Sequence, residues 1–304
     1  VVTVFSPAKI NLFLAVTGRR PDGFHDLVSV AAPLDFGDDL EATVLPAGGG
    51  AQYTLACDDP AVPTDGTNLI LKAAGAYAAA TGSQQRVHFR LTKRIPIGAG
   101  LGGGSSNAVA ALRALNQLDG GLLESTRMEH VAAGLGSDCV LFLHNAPVVM
   151  RGRGERVALL PVNAARRIRG RRVLLFKPSF GISTPWAYGR MAARGTDYLP
   201  AEQAESRLAG WLKGTGTAEE LLFNNMQPAA FEKYVALPML LAKLRAIAGV
   251  AAIMSGSGSA CFALLPEERG IGDGNAATDL VAELKRHLRS WGGPEIYLQE
   301  GRLS

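Results

Sequence analysis

The chain has 304 residues, 47% hydrophobic and 19% charged. That is a globular composition, which excludes a wholly disordered protein and predicts about two domains at roughly 150 residues each. A net charge of +4 suits an anionic small-molecule substrate and lacks the clustered charge of a nucleic-acid binder.

No apolar run approaches the roughly 18 residues of a membrane span, and no signal peptide is visible. Cys57, Cys139 and Cys261 are too dispersed for a disulfide framework or a cysteine zinc site. The expectation is a cytoplasmic protein with reduced thiols, a monomer or weak homodimer, with no membrane or nucleic-acid partner.

Residues 3–16 read as a strand, in which Ile10, Leu12, Leu14 and Val16 alternate with Lys9, Asn11, Phe13 and Ala15. Period two puts Lys9 and Asn11 on one face. Arg19–Gly23 marks a turn. Residues 26–35 and 40–45 read as two further strands, the second closed by Pro46 and Gly48–Gly50. The spacing of Leu69, Ala73, Ala76 and Ala80 predicts a helix over 68–81. Residues 86–93 alternate again through Val87, Phe89 and Leu91. A helix is predicted over 105–118, with Ala108, Ala111, Leu112, Leu115 and Leu118 on one side. Ser105 or Ser106 can cap it, and Gly120-Gly121 ends it.

The second half follows an arginine-rich segment. Its expected elements are a strand at 173–177, helices near 201–212 and 237–247, and strands at 250–254 and 260–265. A helix at 276–290 and a short strand near Glu295–Gln299 complete it. The domain boundary is placed near residue 165, giving units 1–165 and 166–304. Arg166, Arg167, Arg169, Arg171 and Arg172 lie at that linker without interleaved aromatics and read as a solvated connector.

The strongest signal is the loop Pro96–Ala108, PIGAGLGGGSSNA. Glycine lets backbone amides approach a ligand closely, and a helix that starts directly after the loop offers free amides and a positive dipole end to an anion. Three phosphate loops are distinguishable. The nucleoside-triphosphatase P-loop requires a lysine where Gly104 stands. The dinucleotide fingerprint is matched in letters by Gly98, Gly100 and Gly103, but helix 105–118 runs straight to Asp119 and leaves no room for the second strand. A protein-kinase glycine loop needs H-R-D and D-F-G downstream, and neither occurs.

The loop resembles the central motif of the galactokinase, homoserine kinase, mevalonate kinase and phosphomevalonate kinase superfamily. Its long form is similar to that of the 4-diphosphocytidyl-2-C-methyl-D-erythritol kinase family. Three other segments carry the same resemblance: Ser6–Leu14 (SPAKINLFL) with Gly18–His25 (GRRPDGFH), Leu135–Asp138 (LGSD), and Met254–Phe262 (MSGSGSACF). The matches run in order along nearly the whole chain, weakest at about 190–220. Phe24 stands where the family often has Tyr, Val140 where proline is usual, and Asn225 and Gln227 where acidic residues are frequent.

The resemblance implies a two-domain α+β small-molecule kinase, with a ribosomal-protein-S5-like N-terminal half, a ferredoxin-like C-terminal half and the active site in the cleft between them. It implies transfer of a phosphoryl group from ATP, with Mg²⁺ carried by the nucleotide, to the 2-hydroxyl of a small-molecule substrate bearing a cytidine diphosphate. Asp138 becomes the candidate base. By residue type alone it reads equally as a turn or cap aspartate. Lys9 becomes its partner, although a lysine in an apolar strand also fits a solvent-facing sheet edge.

Asn11 shares the Lys9 face and reads as a substrate ligand or a polar residue on a solvated face. Phe24 is implied to stack on the cytosine and His25 to read its edge. The alternatives are core packing for Phe24 and a surface-loop histidine for His25. Thr184 and Tyr188 are implied to supply the other cytosine face, with interdomain packing as the alternative for Tyr188. The implied ATP contacts are Asn68, Pro96, Gly98, Gly100, Leu101, Gly102, Gly103, Gly104, Ser105, Ser106 and Asn107, and Asn68 also fits a helix cap. Gly256, Ser257 and Gly258 are implied to close beside the triphosphate loop, where a tight hairpin is the alternative. Ser105 or Ser106 can approach Mg²⁺, but no carboxylate cluster marks a metal cage and no metal ligand is assigned.

Overall fold

Strand β1 (Val2–Arg19) runs through the middle of the larger of two sheets. The structure is a computed structural model that describes residues 1–266 and 274–304. Among these residues the larger sheet has the order β3-β4-β2-β1-β8, formed by β3 (Tyr53–Cys57), β4 (Arg86–Thr92), β2 (His25–Leu45), β1 and β8 (Phe223–Asn224). The first part of β2 also pairs with β5 (Val148–Gly152), and β5 pairs with β6 (Arg156–Leu159). Ile10, Leu12, Phe13 and Ala15 are fully buried, so β1 is covered on both faces. Burial of such side chains is the main favourable term in folding, at about 1.5–3 kcal/mol for each large one.

The two strands expected at 26–35 and 40–45 are one. The segment Asp35–Asp39 carries turn-type residues, yet the chain stays extended through it. Gly37 explains the pattern: a Cβ there would lie 2.2 Å from the Ser6 carbonyl oxygen, so glycine permits the close approach of β1 rather than a turn.

Helices α1 (Leu69–Thr81), α2 (Gly103–Leu118) and α3 (Ser125–Leu135) cover this sheet. The α2 helix starts two residues earlier than predicted, and neither Ser105 nor Ser106 caps it. Gly102 precedes it with φ 73°, a left-handed conformation, and no side chain caps its first amides. Sequence periodicity also left β3, α3, β5 and β6 unassigned.

The second sheet is antiparallel, in the order β11-β7-β10-β9, from β7 (Arg172–Lys177), β9 (Ala252–Met254), β10 (Cys261–Leu264) and β11 (Tyr297–Arg302). Helices α9 (Ala236–Ala248) and α10 (Gly274–Gly292) pack together beside it. Short helices α4 (Val162–Ala165), α7 (Ala218–Leu221) and α8 (Gln227–Phe231) punctuate the connections. Helix α5 (Thr184–Arg194) was not predicted, although Ser183 caps it by accepting from the Trp186 amide and Pro185 lies in its first turn. Helix α6 (Ala201–Lys213) packs back on β1 and β2, and β8 then joins β1 in parallel at Phe13 and Leu14.

In the arginine segment Arg166 and Arg169 are exposed, as a solvated connector requires, but Arg167, Arg171 and Arg172 are not. Arg167 lies 3.8 Å over the Trp211 ring and donates to the Trp211 and Gly216 carbonyls. Arg171 is buried and pairs with Glu219, and Arg172 pairs with Glu300 at 3.2 Å. Planar guanidinium groups serve here as internal ties, a role that residue counting does not reveal.

Candidate active site

A cavity of about 1160 Å³ opens where the glycine loop, the segment before the 3-10 turn Val140–Leu143, the start of α5 and the second glycine loop converge. Pro96, Gly98, Gly100, Leu101, Gly102, Gly103, Gly104, Ser105 and Asn107 line it. Gly102 and Gly103 are packed too closely against their neighbours to carry side chains. A Cβ at Gly102 would meet Phe142 at 2.8 Å and Lys9 Cγ at 3.0 Å, and one at Gly103 would meet Lys93 Nζ at 3.0 Å. The α2 start presents backbone amides to the cavity, the geometry and polarity an anion needs.

Ser106 does not line the cavity. It is buried behind the loop, where Ser6 Oγ donates to its Oγ at 2.8 Å. Asn107 is 4% exposed, and its amide nitrogen donates to Ser6 Oγ and to Asp38 Oδ2, both at 2.8 Å. Asp38 is fully buried and also accepts from Lys93 Nζ at 2.5 Å, from the Arg94 amide at 2.7 Å and from the Ile95 amide at 2.8 Å. One carboxylate therefore holds the chain immediately before the glycine loop and the helix turn immediately after it.

Asn68 caps α1: its Oδ1 accepts from the Ile70 amide at 2.9 Å, and its Nδ2 donates to the Pro63 carbonyl at 2.6 Å. It also lines the cavity.

Lys9 is 4% exposed, which rules out the solvent-facing edge. Register shifts between Pro7 and Lys9 and between Asn11 and Phe13 bracket the segment that carries it. Such irregularities re-aim side chains within a ladder. Lys9 Nζ donates to Asn11 Oδ1 at 2.6 Å and lies 3.3 Å from Asp138 Oδ2. Asn11 is itself buried, donating to Ser29 Oγ at 2.9 Å, so the solvated-face reading does not hold. The Asp138 side chain is 37% exposed and faces the cavity. The 3-10 turn after it is entered through Cys139 with no side-chain cap.

At the aromatic end, Phe24 is 49% exposed, so it is not a core residue. His25 is 9% exposed, which excludes a surface-loop histidine. Its ring lies 4.7 Å from that of Tyr188 and 5.9 Å from that of Tyr198, and its Nε2 is 3.0 Å from the Tyr198 hydroxyl. Burial and then the Arg19 charge push the His25 pKa below 6.5. Burial and then the Asp138 charge push the Tyr188 phenol up. Thr184 Oγ1 is 2.9 Å from Ser257 Oγ, tying α5 to the second glycine loop. Gly256 and Ser257 line the cavity, whereas Gly258 does not and instead abuts Met254 and Ile182.

The two loops interlock. The Ala260 amide donates to the Ala99 carbonyl at 3.1 Å, and Ser255 Oγ donates to the Gly100 carbonyl at 3.3 Å. The Lys9 amide donates to the Leu101 carbonyl at 2.9 Å, tying the loop to β1.

Residue reading did not nominate Arg19, Lys93, Ser137 or Arg153, all of which line the cavity. Arg19 lies in the Gly-Arg-Arg turn already noted, and Ser137 in the LGSD segment. Lys93 closes a strand directly before the loop. Arg153 sits between two glycines, a turn signal that also marks close approach.

The model of the GHMP kinases N terminal domain matches residues 68–146. A 4-diphosphocytidyl-2-C-methyl-D-erythritol kinase of Synechococcus sp. (strain CC9902) is 39% identical over 302 residues, covering 95% of each chain. A crystal structure of 4-(cytidine 5'-diphospho)-2C-methyl-D-erythritol kinase superposes over 100% of both chains, with a TM-score of 0.74 and 30% identity. The homoserine kinase of Cytophaga hutchinsonii ATCC 33406 shares the fold at a TM-score of 0.70 and 19% identity, covering 100% of this chain and 94% of its own.

Proposed function

The chain belongs to the 4-diphosphocytidyl-2-C-methyl-D-erythritol kinase family, and from that membership we propose that its cavity carries the 2-hydroxyl of that cytidine-diphosphate alcohol to a phosphoryl group supplied by ATP. The activity belongs to the non-mevalonate route to isoprenoid precursors. The observation that carries the mechanism is Lys9 Nζ held between Asn11 Oδ1 and Asp138 Oδ2 inside the cavity.

In this reading Asp138 accepts the proton of the attacking hydroxyl. A positioned base of this kind contributes about 100- to 10,000-fold. Lys9 fixes the carboxylate and steadies the oxygen as it gains negative charge, and Asn11 holds Lys9 in register. The amides of Gly103, Gly104 and Ser105 cradle phosphate oxygens, supported by their place on the cavity wall and by the uncapped helix start. Phe24, His25, Thr184 and Tyr188 receive the cytosine. Ser106 and Gly258 support their loops from behind.

Mg²⁺ bound with the nucleotide neutralises phosphate charge. Of the two serines able to approach such an ion, Ser105 lines the cavity and Ser106 does not, and no metal ligand is assigned. Free cysteines fit the cytoplasmic setting, and no described helix is long and apolar enough to cross a membrane. The division near residue 165 belongs to the same proposal, supported by the two sheets that lie largely on either side of it.

The test is ADP release with Mg-ATP and, in parallel, 4-diphosphocytidyl-2-C-methyl-D-erythritol, mevalonate and homoserine. Turnover is expected with the cytidylyl alcohol alone. Asp138→Asn and Lys9→Met are each expected to lower kcat by about 100- to 10,000-fold while remaining folded. Turnover with either other alcohol would discard the substrate assignment, and an active Asp138→Asn would discard the base.

A further inference from the structure

We propose that Arg153 binds the diphosphate at the centre of the substrate and makes this site selective for a nucleoside diphosphate over the bare nucleoside. The inference rests on the reading of the cavity given above. The substrate's covalent order is cytosine, ribose, diphosphate, branched tetrol. With the base at the His25 and Tyr188 end and the reacting hydroxyl at Asp138, the diphosphate lies between them. Its charge cannot be taken into a cavity without a partner.

Four cations line the cavity: Lys9, Arg19, Lys93 and Arg153. Lys9 is engaged by Asp138 and Lys93 by Asp38. Arg153 and Arg19 have no carboxylate within ion-pair distance among the described residues, although the Arg153 charge reaches Asp22, whereas the adjacent Arg20 and Arg151 are paired with Asp22 and Glu205. Arg19 is exposed and Arg153 is half-buried, so the Arg153 charge is the less screened of the two.

The location of Arg153 fits the middle of the substrate. It sits in the turn between β5 and β6, formed by Gly152 at φ 67° and Gly154 at φ 113°. On one side the turn reaches the hydroxyl end: a Cβ at Gly154 would lie 3.3 Å from the Ser137 carbonyl, next to Asp138. On the other side the guanidinium carbon lies 5.0 Å over the Phe24 ring. This cation–π contact holds the guanidinium in place, and its N–H groups can take two phosphate oxygens at once. The Arg153 amide donates to Glu155 Oε2 at 2.8 Å, so the turn is held through its backbone and not through the guanidinium.

The test is binding of CDP, CMP and cytidine to the wild type, Arg153→Gln and Arg153→Lys, with the glycine loop occupied by a non-hydrolysable ATP analogue. The wild type is expected to bind CDP more tightly than cytidine. Arg153→Gln is expected to lose about tenfold or more for CDP while keeping cytidine within about threefold, and Arg153→Lys to fall between. In turnover, KM for the cytidylyl alcohol should rise with the CDP loss while KM for ATP stays within about twofold. Retained cytidine affinity also shows that the variant is folded.

Equal weakening of CDP and cytidine would assign Arg153 to packing on Phe24 and overturn the inference. Unchanged CDP affinity in Arg153→Gln would overturn it as well, with the kinase reading intact. A wild type that neither binds CDP nor turns over the cytidylyl alcohol would overturn the site reading and this inference together.

Discussion

Asn107 and Asp38 stand 69 residues apart in the sequence and 2.8 Å apart in the fold. The contact joins the second turn of α2 to the middle of β2, where that strand passes from β1 to β4. Through it, and through the amides of Arg94 and Ile95, a single buried carboxylate fixes both ends of the glycine loop.

Removing that carboxylate strands a buried ammonium. Asp38→Ala is expected to destabilise the protein by about 3–5 kcal/mol, because Lys93 is left without its partner. The double variant Asp38→Ala/Lys93→Met removes both charges and is expected to be less destabilised than the sum of its single variants. Denaturant unfolding of the four proteins measures this. Additive losses would mean that the pair is not coupled. In the variants that fold, KM for ATP should rise more than KM for the alcohol, since the loop proposed to take the phosphates is what the carboxylate holds.

His25 links stability to pH. Its folded pKa is lowered, so in the acidic range the unfolded chain binds a proton that the native state refuses. The stability it contributes is fully present above its unfolded value of 6.5, declines as the pH falls from there to the lowered native value, and is level below that. The groups facing it are Arg19, Tyr188 and Tyr198. Melting temperatures of the wild type and His25→Gln at about pH 7.5 and about pH 5.5 test this. The wild type should lose more on acidification. An equal loss would place the titration elsewhere.

Gly100 and Gly23 have similar backbone conformations and different surroundings. Gly100 has φ 75°, and a Cβ there would lie 2.5 Å from the Ser255 carbonyl; Gly23 has φ 86° with nothing within 4 Å. Gly23→Ala is expected to cost only the left-handed strain, about 1–2 kcal/mol. Gly100→Ala adds a backbone clash that must part the two glycine loops, so it should be clearly more destabilising and should abolish turnover. Thermal melts and ADP release on both variants distinguish the cases.

Much of this was legible in residue patterns. The alternation in β1, the Ala-rich spacing of α1 and the unbroken run from glycine loop to apolar helix each reflect a single local rule. What escaped depended on distant neighbours. Residues 35–39 carry turn chemistry, but Gly37 serves the passage of Ser6, and Asp38 turns inward to meet residues 93–95 and 107. Arg167 and Arg171 looked solvated because their partners, Trp211 and Glu219, lie more than forty residues on. The β5–β6 hairpin was missed for want of alternation, and with it Arg153. The helical start of α5 is written in Ser183-Thr-Pro185, a capping serine with proline in the first turn.

The interlocked loops also set an order of events during synthesis. The hydrogen bond from Ala260 to Ala99 joins residues 161 positions apart. At about 5–20 residues per second, the glycine loop leaves the ribosome roughly ten to thirty seconds before the strand that braces it. Early in that interval the nascent chain lacks β5, β6 and β8, and throughout it lacks the second loop. The nucleotide affinity proposed for the glycine loop is therefore expected to be a property of the finished chain, gained near the end of translation, when the last brace closes over a loop that has long been waiting for it.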